Sequence, residues 1–251
     1  TIAGTINSEI AGANLWLINP EGIVFGDGAS VNVQGSLLVS SADYVLLSDG
    51  IPFYADVKHT DILSASPPEA FGFLSESFPA VARIGIGNVQ ISVPENKSIS
   101  LLGSDVSVKG ALLSAPGGSV SVVSINEAGE VIYSDQGQGL DVSSFEAFGP
   151  VAIDSTSFKI DGEQKGLLQI KGGDLEFSSS DDDFVSSVTQ LKTSFDEEHN
   201  LMDKPCELAD FYNQGKMIFT VDQDAEETAY GVKTKKTHRG PIGGIEAVEC
   251  L

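Results

Sequence analysis

An all-β fold made of short strands that turn repeatedly is what this chain predicts, and three observations carry the expectation. β-patterned runs of about four to seven residues follow one another, each broken by Gly, Asn, Asp or Ser. Twenty-seven glycines against two methionines and one tryptophan suit tight turns better than long helices. Hydrophobic residues make up 41% of the 251, enough for a sizeable core. A β-sandwich and a parallel β-helix both produce this punctuation. The very short corners favour the coil, in which each turn stacks its inward side chains on the next. Periodicity alone leaves both open.

Taken in order, the first informative run is "ANLWLINPEGIVFG" at 13–26. It reads as two short buried strands joined by a corner at Asn19-Pro20-Glu21-Gly22, with Ile23 opening the second strand. Proline presets φ near −65°, Asn19 can bond its own backbone two residues on, and Gly22 takes a positive φ cheaply. Such a corner is expected to end one turn of a coil and set the register of the next. "SVNVQGSLLVSS" (30–41) alternates around Gly35, and "NVQISV" (88–93), "SISLLG" (98–103), "DVSVKG" (105–110), "ALLSAPGG" (111–118) and "SVSVVSI" (119–125) read as successive strands.

Residues 42–87 interrupt this pattern. "PPEAFGFLSESFPAVARIGIG" predicts an excursion on the side of the fold, with Phe71, Phe73 and Phe78 covering an apolar flank. A second interruption, 126–151, predicts a hairpin in which "EVIYS" follows a turn at Ala128-Gly129. The pattern returns at 152–179. Residues 178–205 are acidic and read as a linker or a short amphipathic helix, and 206–251 as a small helix, a strand and a tail. That tail holds a basic cluster of Lys233, Lys235, Lys236 and Arg239.

A formal charge of −22 argues against nucleic acid and against attraction to anionic lipids. No run approaches eighteen apolar residues, so no membrane insertion is expected. The start, "TIAGTINSEI", has neither Met nor the regions of a signal peptide, and predicts a fragment or mature product. The two cysteines, Cys206 and Cys250, allow either a disulfide closing a terminal loop or two free thiols. No Cys-x-x-Cys spacing is present, His59, His199 and His238 are isolated, and Asp181-Asp182-Asp183 lacks calcium-loop spacing. No metal and no cofactor are therefore expected. The aspartates 105, 141, 154, 161 and 174 are scattered at corners, and Lys58, Arg83 and Lys97 are widely spaced. That pattern does not point to an enzyme, and no catalytic residue is assigned.

The run "ANLWLINPEGIVFGDGASVNVQGSLLVSSADYVLL" resembles the N-terminal haemagglutination-activity, or two-partner-secretion, domain of filamentous haemagglutinin-like exoproteins. That family carries Asn-Pro-Asn-Gly-Ile after an apolar strand, followed by a "VxVGGSLLVST"-like turn of the coil. Here Asn19, Pro20, Gly22 and Ile23 occupy the motif, Glu21 replaces its second Asn, and 31–37 gives the following turn. "GSDVSVKGALLSAPGGSVSVVSI" (103–125) and "GLLQIKGGDLEF" (166–177) resemble later turns. The resemblance implies a right-handed parallel β-helix over 1–177 with extra-helical hairpins, lacking its usual N-terminal cap, then a linker at 178–205 and a small segment at 206–251. It implies a secreted or cell-surface adhesin-type exoprotein, exported through a cognate outer-membrane β-barrel transporter with periplasmic docking domains. Receptors or glycans of a host or neighbouring cell are the further partners it implies. The alternative is a secreted β-helix enzyme acting on polysaccharides.

Overall fold

The computed structural model describes residues 1–56, 64–75, 82–133, 139–160, 162 and 166–179, and four later strands at 208–213, 216–221, 236–239 and 242–248. The expected parallel β-helix is the observed architecture. Its first turn comprises β1 (Thr5–Asn7), β2 (Leu15–Ile18) and β3 (Ile23–Phe25). The second is β4 (Ser30–Asn32), β5 (Leu37–Ser40) and, after an excursion, β9 (Arg83–Gly87). That excursion is β6 (Tyr44–Leu47), β7 (Pro52–Tyr54) and β8 (Pro68–Phe73). The third turn runs without interruption as β10 (Gln90–Ser92), β11 (Ser98–Gly103) and β12 (Asp105–Lys109). The fourth is β13 (Leu112–Ser114), β14 (Ser119–Ser124) and β17 (Val151–Asp154), with β15 (Gly129–Tyr133) and β16 (Leu140–Asp141) inserted before β17. The fifth is β18 (Ser157–Lys159), β19 (Leu167–Gly172) and β20 (Leu175–Ser179).

Each position in a turn stacks in parallel on the same position of the next. Face one is β1-β4-β10-β13-β18, face two begins β2-β5-β11-β14-β19, and face three begins β3-β9-β12-β17-β20. This pairing sets the sandwich aside. Register makes the core columnar. On face two Leu15, Leu37, Ile99, Val120 and Leu168 align, as do Leu17, Val39, Leu101, Val122 and Ile170. Face three supplies Ile23, Ile84, Val106, Val151 and Leu175, and face one Ile6, Val31, Ile91, Leu113 and Phe158. Together they form one apolar interior.

Both excursions leave from the corner between faces two and three. They meet in a five-stranded antiparallel sheet of order β16-β15-β8-β6-β7. This sheet packs on the outside of face two, where Leu38, Leu102 and Val123 meet Val45, Phe71, Phe73 and Val131 in a second core. Face two is thus buried on both sides, which is why β11 and β14 are buried along their whole length. Phe71 and Phe73 cover the apolar flank as expected; Phe78 lies outside the described residues. The strand expected after Ala128-Gly129 is β15, but its antiparallel partners are β8 and β16 rather than a strand across Ala128-Gly129.

Beyond the fifth turn, β21 (Leu208–Asn213) pairs in parallel with β19, and β22 (Lys216–Val221) with β20. The small helix expected after Cys206 is therefore a strand, because the open edge of β19 offers backbone partners that local propensity does not register. β24 (Ile242–Val248) then runs antiparallel to β21, and β23 (Lys236–Arg239) antiparallel to β22.

Candidate functional site: the first-turn corner

Asn19-Pro20-Glu21-Gly22 joins β2 to β3 within the first turn, at the corner where turns two and four carry their excursions. The Gly22 N–H donates to the Asn19 carbonyl at 2.8 Å, closing a turn with Pro20 in its second position. The Glu21 N–H donates to Asn19 Oδ1 at 3.2 Å, and Asn19 Nδ2 donates to the Gly22 carbonyl at 3.0 Å. The Asn19 N–H meanwhile donates to Ser40 O at 3.0 Å, continuing the ladder to β5. Both ends of the Asn19 amide are thus used inside the corner, although the residue is exposed.

Gly22 has φ +90°, and a Cβ there would lie 2.5 Å from the Arg83 carbonyl oxygen in the turn above. Conformation and space both demand glycine. Ile23, the first residue past the corner, is buried in the coil interior. What the corner uses of Glu21 is its N–H, so the departure from the family's Asn leaves the turn intact; the Glu21 side chain is exposed.

The same corner builds a polar edge along face three. Arg83 Nε donates to Asp105 Oδ2 at 3.0 Å, with a second contact from its terminal nitrogen at 2.9 Å. Turn three crosses on Ser104 alone, whose hydroxyl accepts from the Ala82 N–H at 2.9 Å. The structure disperses the acidic residues noted above. Asp105 pairs with Arg83, Asp154 with Lys109 at 3.2 Å, and Asp141 takes the Ser143 N–H at 2.9 Å. The Ser143 hydrogen bonds hold the Asp141 carboxyl below its usual range. Asp174 lies at the fifth corner; Asp161, Asp181, Asp182, Asp183, Cys206, Cys250, His59 and His199 lie outside the described residues.

One arrangement joins residues from both excursions. The Tyr44 ring lies across Gly72, where a Cβ would sit 1.9 Å from it, and the Tyr44 hydroxyl donates to Glu130 Oε1 at 2.7 Å. Burial, then the hydrogen bond and charge of Glu130, push the Tyr44 phenol well above its ordinary value. Tyr44 and Glu130 border an open groove of about 580 Å³, shared with Phe73, Ile132, Asp141 and Ser143. Tyr44 and Glu130 come from different excursions, so only Gly72 between two phenylalanines hinted at a ring seated there. Among the described residues no helix is long and apolar enough to cross a membrane.

Comparison with curated proteins and with solved structures gives no match. A family model described as "TPS secretion domain" matches residues 1–175, the span of the five turns as far as the first residue of β20. The chain therefore belongs to the TPS secretion domain family, the secretion domain of two-partner-secretion exoproteins exported through the outer membrane.

Proposed function

We propose that the β-helix is the export determinant of an adhesin-type exoprotein, read by a cognate outer-membrane β-barrel transporter through periplasmic docking domains. The observation that carries this is the family match over 1–175, which ends where the fifth turn enters its third face. The first-turn corner supports it as a recognition point. It is exposed, held rigid by its own hydrogen bonds, and bare of the excursions that occupy the corresponding corner in turns two and four. Outside the cell the coil forms turn by turn, each pairing with the one before, so folding free energy draws the chain outward. Within this reading 1–177 is the export unit, 178–205 a connecting segment and 206–251 a C-terminal segment. Receptors or glycans on a neighbouring cell are the partners of the exported molecule.

The test is release into the medium of the chain behind a periplasmic signal peptide, with and without the transporter encoded beside it. Release only with the transporter supports the reading; equal release without it overturns it. Asn19→Ala removes two exposed hydrogen bonds and costs about 1 kcal/mol of stability. If the variant keeps its circular dichroism and melts within a few degrees of the parent yet is no longer released, the corner is read by the transporter. Normal release confines Asn19 to holding the turn.

A further inference from the structure

β21 and β22 add a sixth turn on faces two and three, and the chain then retraces it backwards. β23 lies antiparallel on β22, with Lys216 opposite Arg239 and Phe219 opposite Lys236. β24 lies antiparallel on β21, with Asn213 opposite Ile242 and Leu208 opposite Val248. The two registers agree: the end of β21 meets the start of β24, and the start of β22 meets the end of β23. β24 and β23 are the outermost strands of their sheets. We propose that this reversed turn is a cap that ends the parallel coil and covers, with β23, an edge on β22 that would otherwise pair with a second copy of this chain.

Strand direction carries the first half. A further turn of the coil needs strands running the same way as β21 and β22, and the reversed strands occupy the edges on which they would pair. A solenoid needs such a terminal cap, because its last turn otherwise offers open backbone groups to any strand.

Strand composition carries the second half. After Lys216, β22 continues Met-Ile-Phe-Thr-Val, with no further charge, no glycine and no proline. A six-residue segment of high β propensity and low charge is the pattern of strands that pair with their own copies, and a second copy brings the identical segment. β23 is Lys-Thr-His-Arg, and charged residues on an outermost strand discourage pairing. β24 carries Gly243, Gly244 and Glu246, which make it a poor template in its turn. The basic cluster noted in the sequence thus finds part of its place, since Lys236 and Arg239 stand on the strand that replaces the β22 edge. This cap acts at the opposite end of the coil from the first corner, whether or not a transporter reads that corner.

Hydrogen exchange on the full chain should be slow within 216–221 and within 236–239, and sedimentation velocity should give a monomer. Fast exchange throughout either segment, or association of the parent chain, overturns the cap. In the full chain, Thr237→Pro with Ile245→Pro removes a backbone donor from each returning strand and breaks both. That variant should lose protection at 236–239 and associate increasingly with concentration. Ile218 occupies the register of Ser107, Ala152 and Glu176, the row outside the coil interior, so Ile218→Lys places a charge on the edge strand and not in a core column. Added to the two prolines, it should return the variant to a monomer. A proline variant that stays monomeric overturns the proposal. So does association that Ile218→Lys leaves unchanged, because another surface then drives it.

Discussion

Gly22 is the residue on which the first corner turns. An alanine there meets both a positive φ and the Arg83 carbonyl, which sits on a backbone that the parallel ladder holds in place. We expect Gly22→Ala to cost about 2–4 kcal/mol, seen as a fall of roughly 5–15 °C in melting temperature. A loss below about 1 kcal/mol would mean that the corner relaxes freely. Tyr44 makes a pH prediction. Its folded pKa is raised above the ordinary phenol value of about 10, so above that pH the unfolded chain loses the phenol proton first. The stability contributed by Tyr44 is therefore complete below about pH 10 and declines as pH rises toward the folded value. Urea midpoints should fall between pH 9 and pH 11, and Tyr44→Phe should make that fall shallower; an unchanged slope would remove Tyr44 as its source.

At the scale of elements, the decisive contact is between the extra-helical sheet and face two. Trp16, the chain's single tryptophan, stands edge-on to Phe71 and Tyr133 with ring centroids 6.2 and 5.9 Å away. Its fluorescence therefore reports the junction of the two cores. Phe71 is fully buried, and Phe71→Ala should cost about 3–5 kcal/mol and shift Trp16 emission to longer wavelength. Loss of stability with unchanged emission would mean that the sheet stays seated on the coil. Much of this level was legible beforehand. β11 and β12 fall on "SISLLG" and "DVSVK" because glycine and serine punctuation is local. The meeting of β8 and β15 was not, since their pairing joins two insertions separated by the whole third turn. The strand at 208–213 was misread as a helix because its partner, β19, is supplied by the preceding turn.

Across the molecule, the balance of charge is one-sided at −22, and the ion pairs on face three among the described residues, Arg83 with Asp105 and Lys109 with Asp154, neutralise little of it. Self-repulsion should dominate the response to salt. Raising NaCl from about 20 to about 300 mM shortens the screening length and should raise the melting temperature by a few degrees. A fall would show that local ion pairs outweigh the net repulsion. The cation of each pair is largely exposed, Arg83 at 62% and Lys109 at 70% of the side chain, which keeps such a pair to about 1 kcal/mol.

The amino-acid sequence by itself determined most strands of the five turns, their corners and the Asn19-to-Ile23 turn, because Gly, Pro and Asn act through backbone dihedrals within a few residues. Resemblance along 13–47 then identified the coil. Only tertiary structure decided that two distant insertions share one sheet, that Tyr44 reaches Glu130 over Gly72, and that face two is buried on both sides. These are consequences of stacking: each turn brings residues side by side that lie a full turn or an excursion apart in the chain, and no local pattern encodes that neighbour.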